Sequence, residues 1–309
     1  MFDINTCKWI IWGARRPFNT FGYIHSAFER ALQFMGKNVQ WLEYDDDISQ
    51  IDFSNTLFLS MNTVIRGMPR RQDCFYVIHN IFGDKNQRYF DDLKMLGTGV
   101  HITPNVYSKN VQVLGSDIYF ESDNRSLQMR WGTDLLPHEI EANKPTKAFN
   151  SDSLLVNYIG TVDHQKMPSI TRFAETCRQN GRIFNTYGGF NGGPQVTIDQ
   201  HVRLIQNSYM APALQGQDQV DTGYVSCRLF KNISAGQFGI TQSKYANELF
   251  GGKLIFNENP VDLYYDARER LQSMDVKELH DLMDVVKRDH TYINKILAIE
   301  TAIRTLENR

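Results

Sequence analysis

The chain has 309 residues, 33 basic and 35 acidic side chains for a formal net charge of −2, and 41% hydrophobic residues. Its length predicts two domains of roughly 150 residues each, and its composition is that of a globular protein, which excludes disordered and fibrous classes. The near balance of charge excludes a broad positive field, so nucleic acid is not expected as the main partner.

The spacing of the cysteines and the short apolar stretch near the start of the chain indicate the cellular compartment of the protein. The four cysteines are far apart and form no CxxC pair, which argues against a zinc site and against a disulfide framework. The apolar stretch "CKWIIWG" is far shorter than the roughly 20 residues that span a bilayer, and it is not the h-region of a signal peptide. We therefore expect a cytoplasmic protein without a transmembrane segment.

The first half of the chain predicts a parallel sheet. "CKWIIWG" is typical of a buried strand, "YIHSAFERALQFMG" has the spacing of a helix ended by Gly36, and "NVQWLEYDDD" predicts a second strand. Further strands are predicted at "TLFLSM", "CFYVIHNIF", "GVHITPNVYS" and "DIYFES". This order favours an N-terminal Rossmann-like domain over 1–134.

The same alternation begins again after a stretch without clear period. We expect a linker at 135–150, followed by a second Rossmann-like domain over 151–289. Its predicted elements include the strands "SLLVNYIG", "RIFNTYGG", "YMAPAL" and "KLIFNE" and the helices "MPSITRFAETCRQNG" and "IDQHVRLIQNS". A last helix over 290–309 is expected to pack back on the N-terminal domain.

The predicted fold class is therefore α/β, with two Rossmann-like domains facing across a cleft and C-terminal helices closing the chain. In such folds a ligand binds in the crevice at the carboxyl ends of the strands.

The stretch "YVSCRLFKNISAGQFGITQS", residues 224–243, has the features of an anion site. Ser226 is predicted to cap a helix from about Cys227, and Gly236 to end it. Arg228 and Lys231 are three residues apart and so share one face near the helix start. Free N–H groups, the helix dipole and two cations would together suit a diphosphate. The alternative is an exposed helix whose cations are only solvated.

Several segments in order resemble GT-B glycosyltransferases, especially the group related to CgeB-type spore-maturation enzymes. "CRLFKNISAGQFGITQSKYANELF" is similar to their donor-binding segment, "YIGTVDHQK" to the strand and loop that open their nucleotide-binding half, "WGTDLLP" to their hinge, and "DHTYINKILAIETAI" to their last helix. The resemblance covers roughly residues 131–305.

The resemblance implies a set of donor-binding residues. Gly160 and Thr161 would approach the donor phosphates, Arg228 would neutralise the diphosphate, and Ser234 and Gly236 would let the backbone come close.

Three further residues complete the predicted donor site: Tyr187, Lys231 and Asn232. Tyr187 lies in the glycine-rich "NTYGGFNGGPQ" and could stack on a base or simply belong to a turn. Lys231 stands where many members of the family carry a glutamate that holds the donor ribose, and Gly223 stands where a second glutamate is common, so ribose recognition and stereochemistry stay open.

Candidates for a catalytic base lie in the first half. His25, at the start of the first helix, stands where inverting GT-B enzymes often carry a histidine, so the resemblance implies a general base; the alternative is a capping or merely polar histidine. Asp84 in "FGDKNQ" is a second candidate, whereas His79 is expected to be a buried core residue. "YDDD" at 44–47 resembles the metal-binding mark of GT-A enzymes, but a solvated strand end is its commonest explanation, and no metal is expected.

The function predicted is a metal-independent glycosyltransferase, without cofactor, that moves a sugar from a UDP- or GDP-sugar to a hydroxyl of a glycan or similar acceptor. If His25 is the base, the reaction inverts. The alternatives are a nucleoside-diphosphate-sugar epimerase of the same architecture and a non-catalytic nucleotide-binding protein.

Overall fold

The computed structural model describes residues 2–15, 20–61, 67–81, 84–104, 111–189 and 193–308. The chain forms two compact units. Unit 1 comprises residues 1–130 together with 292–309, and unit 2 comprises residues 131–291. The segment 135–150, predicted as a linker, belongs to unit 2 and contains helix α3 (Pro137–Ala142).

Unit 1 is built on an eight-stranded sheet of order β2-β1-β3-β4-β5-β8-β7-β6. In chain order its strands are β1 (Lys8–Trp12), β2 (Val39–Leu42), β3 (Thr56–Met61), β4 (Cys74–His79), β5 (Gly99–Thr103), β6 (Gln112–Gly115), β7 (Ile118–Glu121) and β8 (Ser126–Met129). Strands β1 to β5 and β8 pair in parallel, whereas β6, β7 and β8 pair antiparallel. The antiparallel edge departs from the predicted parallel sheet because short turns after β6 and β7 leave no room for a crossover.

Helices α1 (Thr20–Phe34), α2 (Asp84–Met95) and α11 (Tyr292–Glu307) accompany this sheet. The buried face of α1 follows the predicted helical spacing, with Ile24, Ala27, Phe28, Ala31 and Leu32. Helix α11 contacts α1, and the rings of Phe28 and Tyr292 meet edge to face with centroids 4.8 Å apart. The last helix of the chain is thus part of the core of unit 1.

The described residues of unit 2 form five short parallel strands, β9 (Leu155–Ile159), β10 (Ile183–Tyr187), β11 (Pro212–Ala213), β12 (Ile240–Thr241) and β13 (Ile255–Phe256). Strand β10 pairs with β9, and β11, β12 and β13 pair in that order. A parallel bridge between Val156 and Met210 joins the two sets, so the spatial order is β10-β9-β11-β12-β13. This matches the restart of the α/β pattern in the sequence.

The helices of unit 2 after α3 are α4 (Met167–Gln179), α5 (Ile198–Gln206), α6 (Gln217–Asp221), α7 (Cys227–Ser234), α8 (Lys244–Leu249), α9 (Pro260–Ser273) and α10 (Val276–Asp289). Most of them contribute to one hydrophobic core that includes Phe173, Phe230 and Tyr264. No described helix combines the length and apolarity that crossing a bilayer requires.

Candidate functional site

The strand order of unit 2 reverses between β9 and β11. From β9 the chain passes through α4 to β10 on one side, whereas from β11 it continues to β12 and β13 on the other side. The loops that follow β9 and β11 therefore diverge and leave a crevice at the carboxyl ends of these strands. In open α/β sheets this switch point is the place where ligands bind.

Helix α7 begins at this crevice with a side-chain cap. Ser226 has extended backbone angles, and its Oγ accepts a hydrogen bond from the backbone N of Arg228 at 3.3 Å. The helix then runs from Cys227 to Ser234, which confirms the predicted cap and start. The N–H groups of Arg228 and Leu229 donate to Ser226, and the positive end of the helix dipole favours an anion at this end of α7.

Arg228 lies at the carboxyl ends of β9 and β11. Its Nε donates to the carbonyl oxygen of Ile159 at 2.6 Å and its Nη1 to that of Leu214 at 2.9 Å, and its guanidinium stacks on the ring of Tyr158 at 4.1 Å. The residue is only 7% exposed. Two carbonyls and a ring therefore fix the guanidinium, which leaves Nη2 directed toward Gly160.

The positive charge of Arg228 is not balanced within the part of the chain that the structure describes. No carboxylate among those residues forms an ion pair with its guanidinium. Backbone carbonyls supply dipoles but no charge, and a buried cation without a counter-ion is costly. The arrangement therefore favours an anionic ligand at this position.

Gly160 and Gly188 bring the loops after β9 and β10 together. The backbone N of Gly160 donates to the carbonyl oxygen of Tyr187 at 2.7 Å. A Cβ atom at Gly188 would lie 2.8 to 2.9 Å from backbone atoms of Gly160, and one at Gly160 would overlap the guanidinium of Arg228. Both glycines have positive φ, so the loop conformation and the close approach each require glycine. The structure thus brings Gly160 and Arg228 together as predicted.

Two other predicted donor-binding residues lie on these loops. Thr161 follows Gly160, and its carbonyl oxygen accepts a hydrogen bond from the hydroxyl of Tyr158 at 3.4 Å. Tyr187 is partly buried and packs against a small apolar cluster that includes Ile159 and Ile205. Residues 190–192 of the glycine-rich loop lie outside the described residues.

Lys231 has a different partner from the one predicted. Its Nζ lies 2.7 Å from Oδ2 of Asp134, and both side chains are largely buried. Burial raises the pKa of Asp134, but the attraction of Lys231 together with the smaller effects of His201 and of hydrogen bonds exceeds it, so the pKa lies below its usual value and the carboxylate stays charged. The ammonium group of Lys231 therefore forms an ion pair with a carboxylate of unit 2.

His201 is a residue that the sequence did not single out. It lies in α5 and is 6% exposed, and its Nε2 has no hydrogen-bond partner within the described residues. Burial lowers its pKa to about 3, and the nearby cations Lys231 and Arg228 act in the same direction, so the imidazole is neutral. No spacing or motif distinguishes this histidine, because its charged neighbours come from other parts of the chain.

The remaining predicted donor residues on α7 support the fold of unit 2. Asn232 donates through Nδ2 to the carbonyl oxygen of Ala211 at 2.9 Å, and the hydroxyl of Ser234 meets that of Thr133 at 2.7 Å. Gly236 follows the opposite end of the helix, where a Cβ atom would lie 2.9 Å from the carbonyl oxygen of Asn143. Ser234 and Gly236 do not join Gly160 and Arg228, because the helix separates its two ends by about 12 Å.

His25 does not have the environment of a general base. It is buried in unit 1, with its Nε2 2.9 Å from Nε2 of His79. The amide of Asn80 donates to Nδ1 of His79 at 3.2 Å, so Nε2 of His79 carries the proton and donates to His25. Burial also lowers the pKa of His25 to about 4. The predicted role of His25 is therefore unsupported, since its basic nitrogen is already occupied and out of solvent.

His79, the other member of this pair, is fully buried as predicted. Asp84 is the exposed first residue of α2. Within the described ranges, no group of three or more His, Cys, Asp or Glu side chains could hold a metal ion.

No family model matches the sequence. No curated protein matches it either. Solved structures do match over nearly the whole chain, at low sequence identity.

An alpha-glucosyltransferase in complex with UDP and a 13-mer DNA containing an HMU base has a TM-score of 0.60 at 9% identity, over 97% of this chain and 100% of that chain. The alpha,alpha-trehalose 6-phosphate synthase of Burkholderia multivorans has a TM-score of 0.58 at 9% identity, over 98% of this chain and 99% of that chain. The E. coli trehalose-6-phosphate structure bound with UDP-2-fluoro glucose has a TM-score of 0.53 at 11% identity, over 98% of this chain and 99% of that chain. The predicted fold class is thus confirmed, and the chain has the GT-B fold with two Rossmann-like units.

Proposed function

We propose that the protein is a glycosyltransferase that uses a nucleoside-diphosphate sugar, with the diphosphate bound at the switch point of unit 2. The observation that carries the proposal is the buried guanidinium of Arg228, which lies between the ends of β9 and β11 without a carboxylate partner among the described residues. A diphosphate would supply the missing negative charge and accept a hydrogen bond from Nη2, beside the positive end of the α7 dipole.

The complexes of structurally similar proteins support uridine as the base. Alpha-glucosyltransferase structures contain UDP in one case and UDP-glucose in another, and a trehalose-6-phosphate structure from E. coli contains UDP-2-fluoro glucose. We therefore propose a UDP-sugar donor, while nothing favours the GDP-sugar that the sequence had left open. The finer resemblance to CgeB-type enzymes stays a prediction.

The chemistry follows from where charge develops. The acceptor oxygen forms a bond to the anomeric carbon, the bond from that carbon to the diphosphate breaks, and the diphosphate leaves with the electron pair. The proton of the acceptor hydroxyl passes to the leaving diphosphate or to solvent. Fixed donors around the leaving group stabilise this charge, and one such donor is often worth a few kcal/mol, roughly. Arg228 is suited to this role because its contacts with Ile159, Leu214 and Tyr158 hold it in place before the reaction.

The acceptor is proposed to be a hydroxyl of a glycan or similar molecule. Two of the similar structures, both of an alpha-glucosyltransferase, contain DNA. This chain has a net charge of −2, which provides no general attraction for a polyanion.

Saturation-transfer NMR with UDP-, GDP- and ADP-glucose, followed by product analysis with and without sugar acceptors, tests the proposal. We expect binding of UDP-glucose and release of UDP together with a glycosylated acceptor. Conversion of the sugar without any acceptor would instead support the epimerase, and binding without turnover would support a nucleotide-binding protein. Absence of binding to all three donors would contradict the proposal.

A further inference from the structure

Asp134 and Lys231 form a buried ion pair beside the proposed diphosphate site. Lys231 follows Arg228 by three residues on α7, so the two side chains leave the same face of the helix. The Nζ atom of Lys231 lies 2.7 Å from Oδ2 of Asp134, and the two side chains are 14% and 6% exposed. A charge on either residue therefore acts on Arg228 and its ligand with little screening by solvent.

His201 lies close enough to Asp134, Arg228 and Lys231 for all three charges to act on its pKa. The cations Lys231 and Arg228 both lower its pKa, and the carboxylate of Asp134 raises it. The imidazole is neutral and adds no charge of its own. Within this charge cluster, defined as Asp134, His201, Arg228 and Lys231, the carboxylate cancels the ammonium group and one positive charge is left.

The donor and the nucleotide product of a glycosyltransferase differ in charge. UDP carries one more ionisable phosphate oxygen than a UDP-sugar, and the second pKa of a terminal phosphate is about 6. At pH 8 the product UDP is therefore more negative than the donor by about one charge. A binding site with two uncompensated cations would retain the product more strongly, relative to the donor, than a site with one.

We infer that Asp134 determines the selectivity of the site between donor and product, because its pairing with Lys231 holds the charge cluster at a single positive charge. The inference rests on the proposed function. It assigns Lys231 an electrostatic role, in place of the direct diphosphate contact that the sequence had suggested.

A series of near-isosteric variants changes the cluster charge in steps. Lys231→Met removes one positive charge, Asp134→Asn adds one, and the double variant Asp134→Asn/Lys231→Met returns to the charge of the wild type. The matched control is Glu248→Gln, which makes the same charge change as Asp134→Asn in an exposed pair with Lys244 on α8. Circular dichroism and melting temperature verify that each variant is folded.

Isothermal titration calorimetry at pH 8 with UDP and UDP-glucose gives the ratio of the two dissociation constants. We expect Asp134→Asn to shift this ratio about tenfold in favour of UDP, Lys231→Met to shift it in the opposite direction, and the double variant and Glu248→Gln to stay near the wild type. In turnover, Asp134→Asn should show stronger inhibition by UDP.

The alternative is that the pair of Asp134 and Lys231 only supports the fold. In that case every variant would lower the affinities for UDP and for UDP-glucose by similar factors. An unchanged ratio in Asp134→Asn and Lys231→Met, in a wild type that binds both ligands, overturns the inference and leaves the proposed function intact. A wild type that binds neither ligand overturns the proposed function itself.

Discussion

Gly160 is the residue at which backbone and site depend on each other most directly. Its φ is positive, and a Cβ atom there would overlap the guanidinium of Arg228. The guanidinium can therefore reach the carbonyl oxygens of Ile159 and Leu214 only because residue 160 has no side chain.

Gly160→Ala should displace Arg228 and weaken UDP binding by at least about tenfold, since a charge-assisted hydrogen bond is typically worth about 1.5 to 3 kcal/mol. Gly181→Ala is the matched control, because Gly181 also has positive φ but has open space around its missing Cβ. Calorimetry with UDP compares the two variants. Equal affinities would mean that Gly160 is required by the backbone alone.

The buried histidine pair in unit 1 predicts a pH dependence of stability. In the unfolded chain both histidines have pKa values near 6.5, whereas in the folded unit burial lowers the pKa of His25 to about 4 and that of His79 well below its usual value. Below pH 6.5 the unfolded chain therefore binds more protons than the folded one. The free energy of unfolding should fall as the pH decreases from about 6.5 to 4.

Urea unfolding at several pH values between 4 and 7.5 measures this effect. The double variant His25→Gln/His79→Gln should lose about half of the dependence in this range, because burial also lowers the pKa of His101 and His201, whereas replacing the exposed His164 by Gln should preserve it. A wild type whose unfolding free energy is the same at pH 5 and pH 7 would contradict the account of the pair.

At the scale of elements, α7 combines a structural cap with the proposed anion site. Ser226→Asp should keep the helix stable, since aspartate is as good a cap as serine and suits the helix dipole. The same carboxylate would repel a diphosphate, so UDP affinity should fall by about fivefold or more while the melting temperature stays nearly constant.

The control for this variant is Asn259→Asp, which places the same charge at the cap of α9. It should leave both stability and UDP affinity nearly unchanged. A decrease of UDP affinity in both variants would indicate a general effect of net charge rather than a site at the start of α7.

The sequence predicted α7 well because local signals define it. Ser226 provides the cap, Gly236 ends the helix, and the apolar side chains between them have helical spacing. Helix α9 was not predicted, although Asn259 caps it and Pro260 occupies its first turn, because five charged residues obscure its apolar face. Strands β11, β12 and β13 have only two residues each, so their bounds depend on neighbouring strands more than on their own pattern.

Contacts between side chains that are distant in the sequence could not be predicted from the sequence. Lys231 and Asp134 are 97 positions apart, and His25 and His79 are 54 apart. The types of these residues indicate possible chemistry, but only the packing of helices on strands decides which groups meet. This is why the sequence indicated neither Asp134 as the partner of Lys231 nor His79 as the partner of His25, and the anion-binding role of Arg228 stays a prediction.

At the scale of the whole molecule, the end of the chain completes unit 1. Helix α11 contacts α1, and Glu300 pairs with Lys37 at 2.5 Å. Ile299 of this helix is fully buried, whereas Leu297 is 47% exposed. The core of unit 1 therefore needs residues from both ends of the sequence.

Ile299→Ala should lower the free energy of unfolding by about 2 to 4 kcal/mol, because it leaves a cavity in this core. Leu297→Ala should change it by less than about 1 kcal/mol, since its side chain is half exposed. Urea unfolding monitored by circular dichroism distinguishes the two. Similar losses in both variants would indicate that α11 contributes through helix propensity rather than through packing.

The central claim is that Arg228 binds the diphosphate of a nucleotide at the switch point of unit 2. Calorimetry with UDP and with uridine, for the wild type and for Arg228→Ala, tests it most directly, because uridine shares the base and ribose but lacks the phosphates. We expect the wild type to bind UDP far more tightly than uridine, and Arg228→Ala to lose most of this difference while its affinity for uridine changes little. A folded Arg228→Ala variant that keeps the full preference for UDP would contradict the claim.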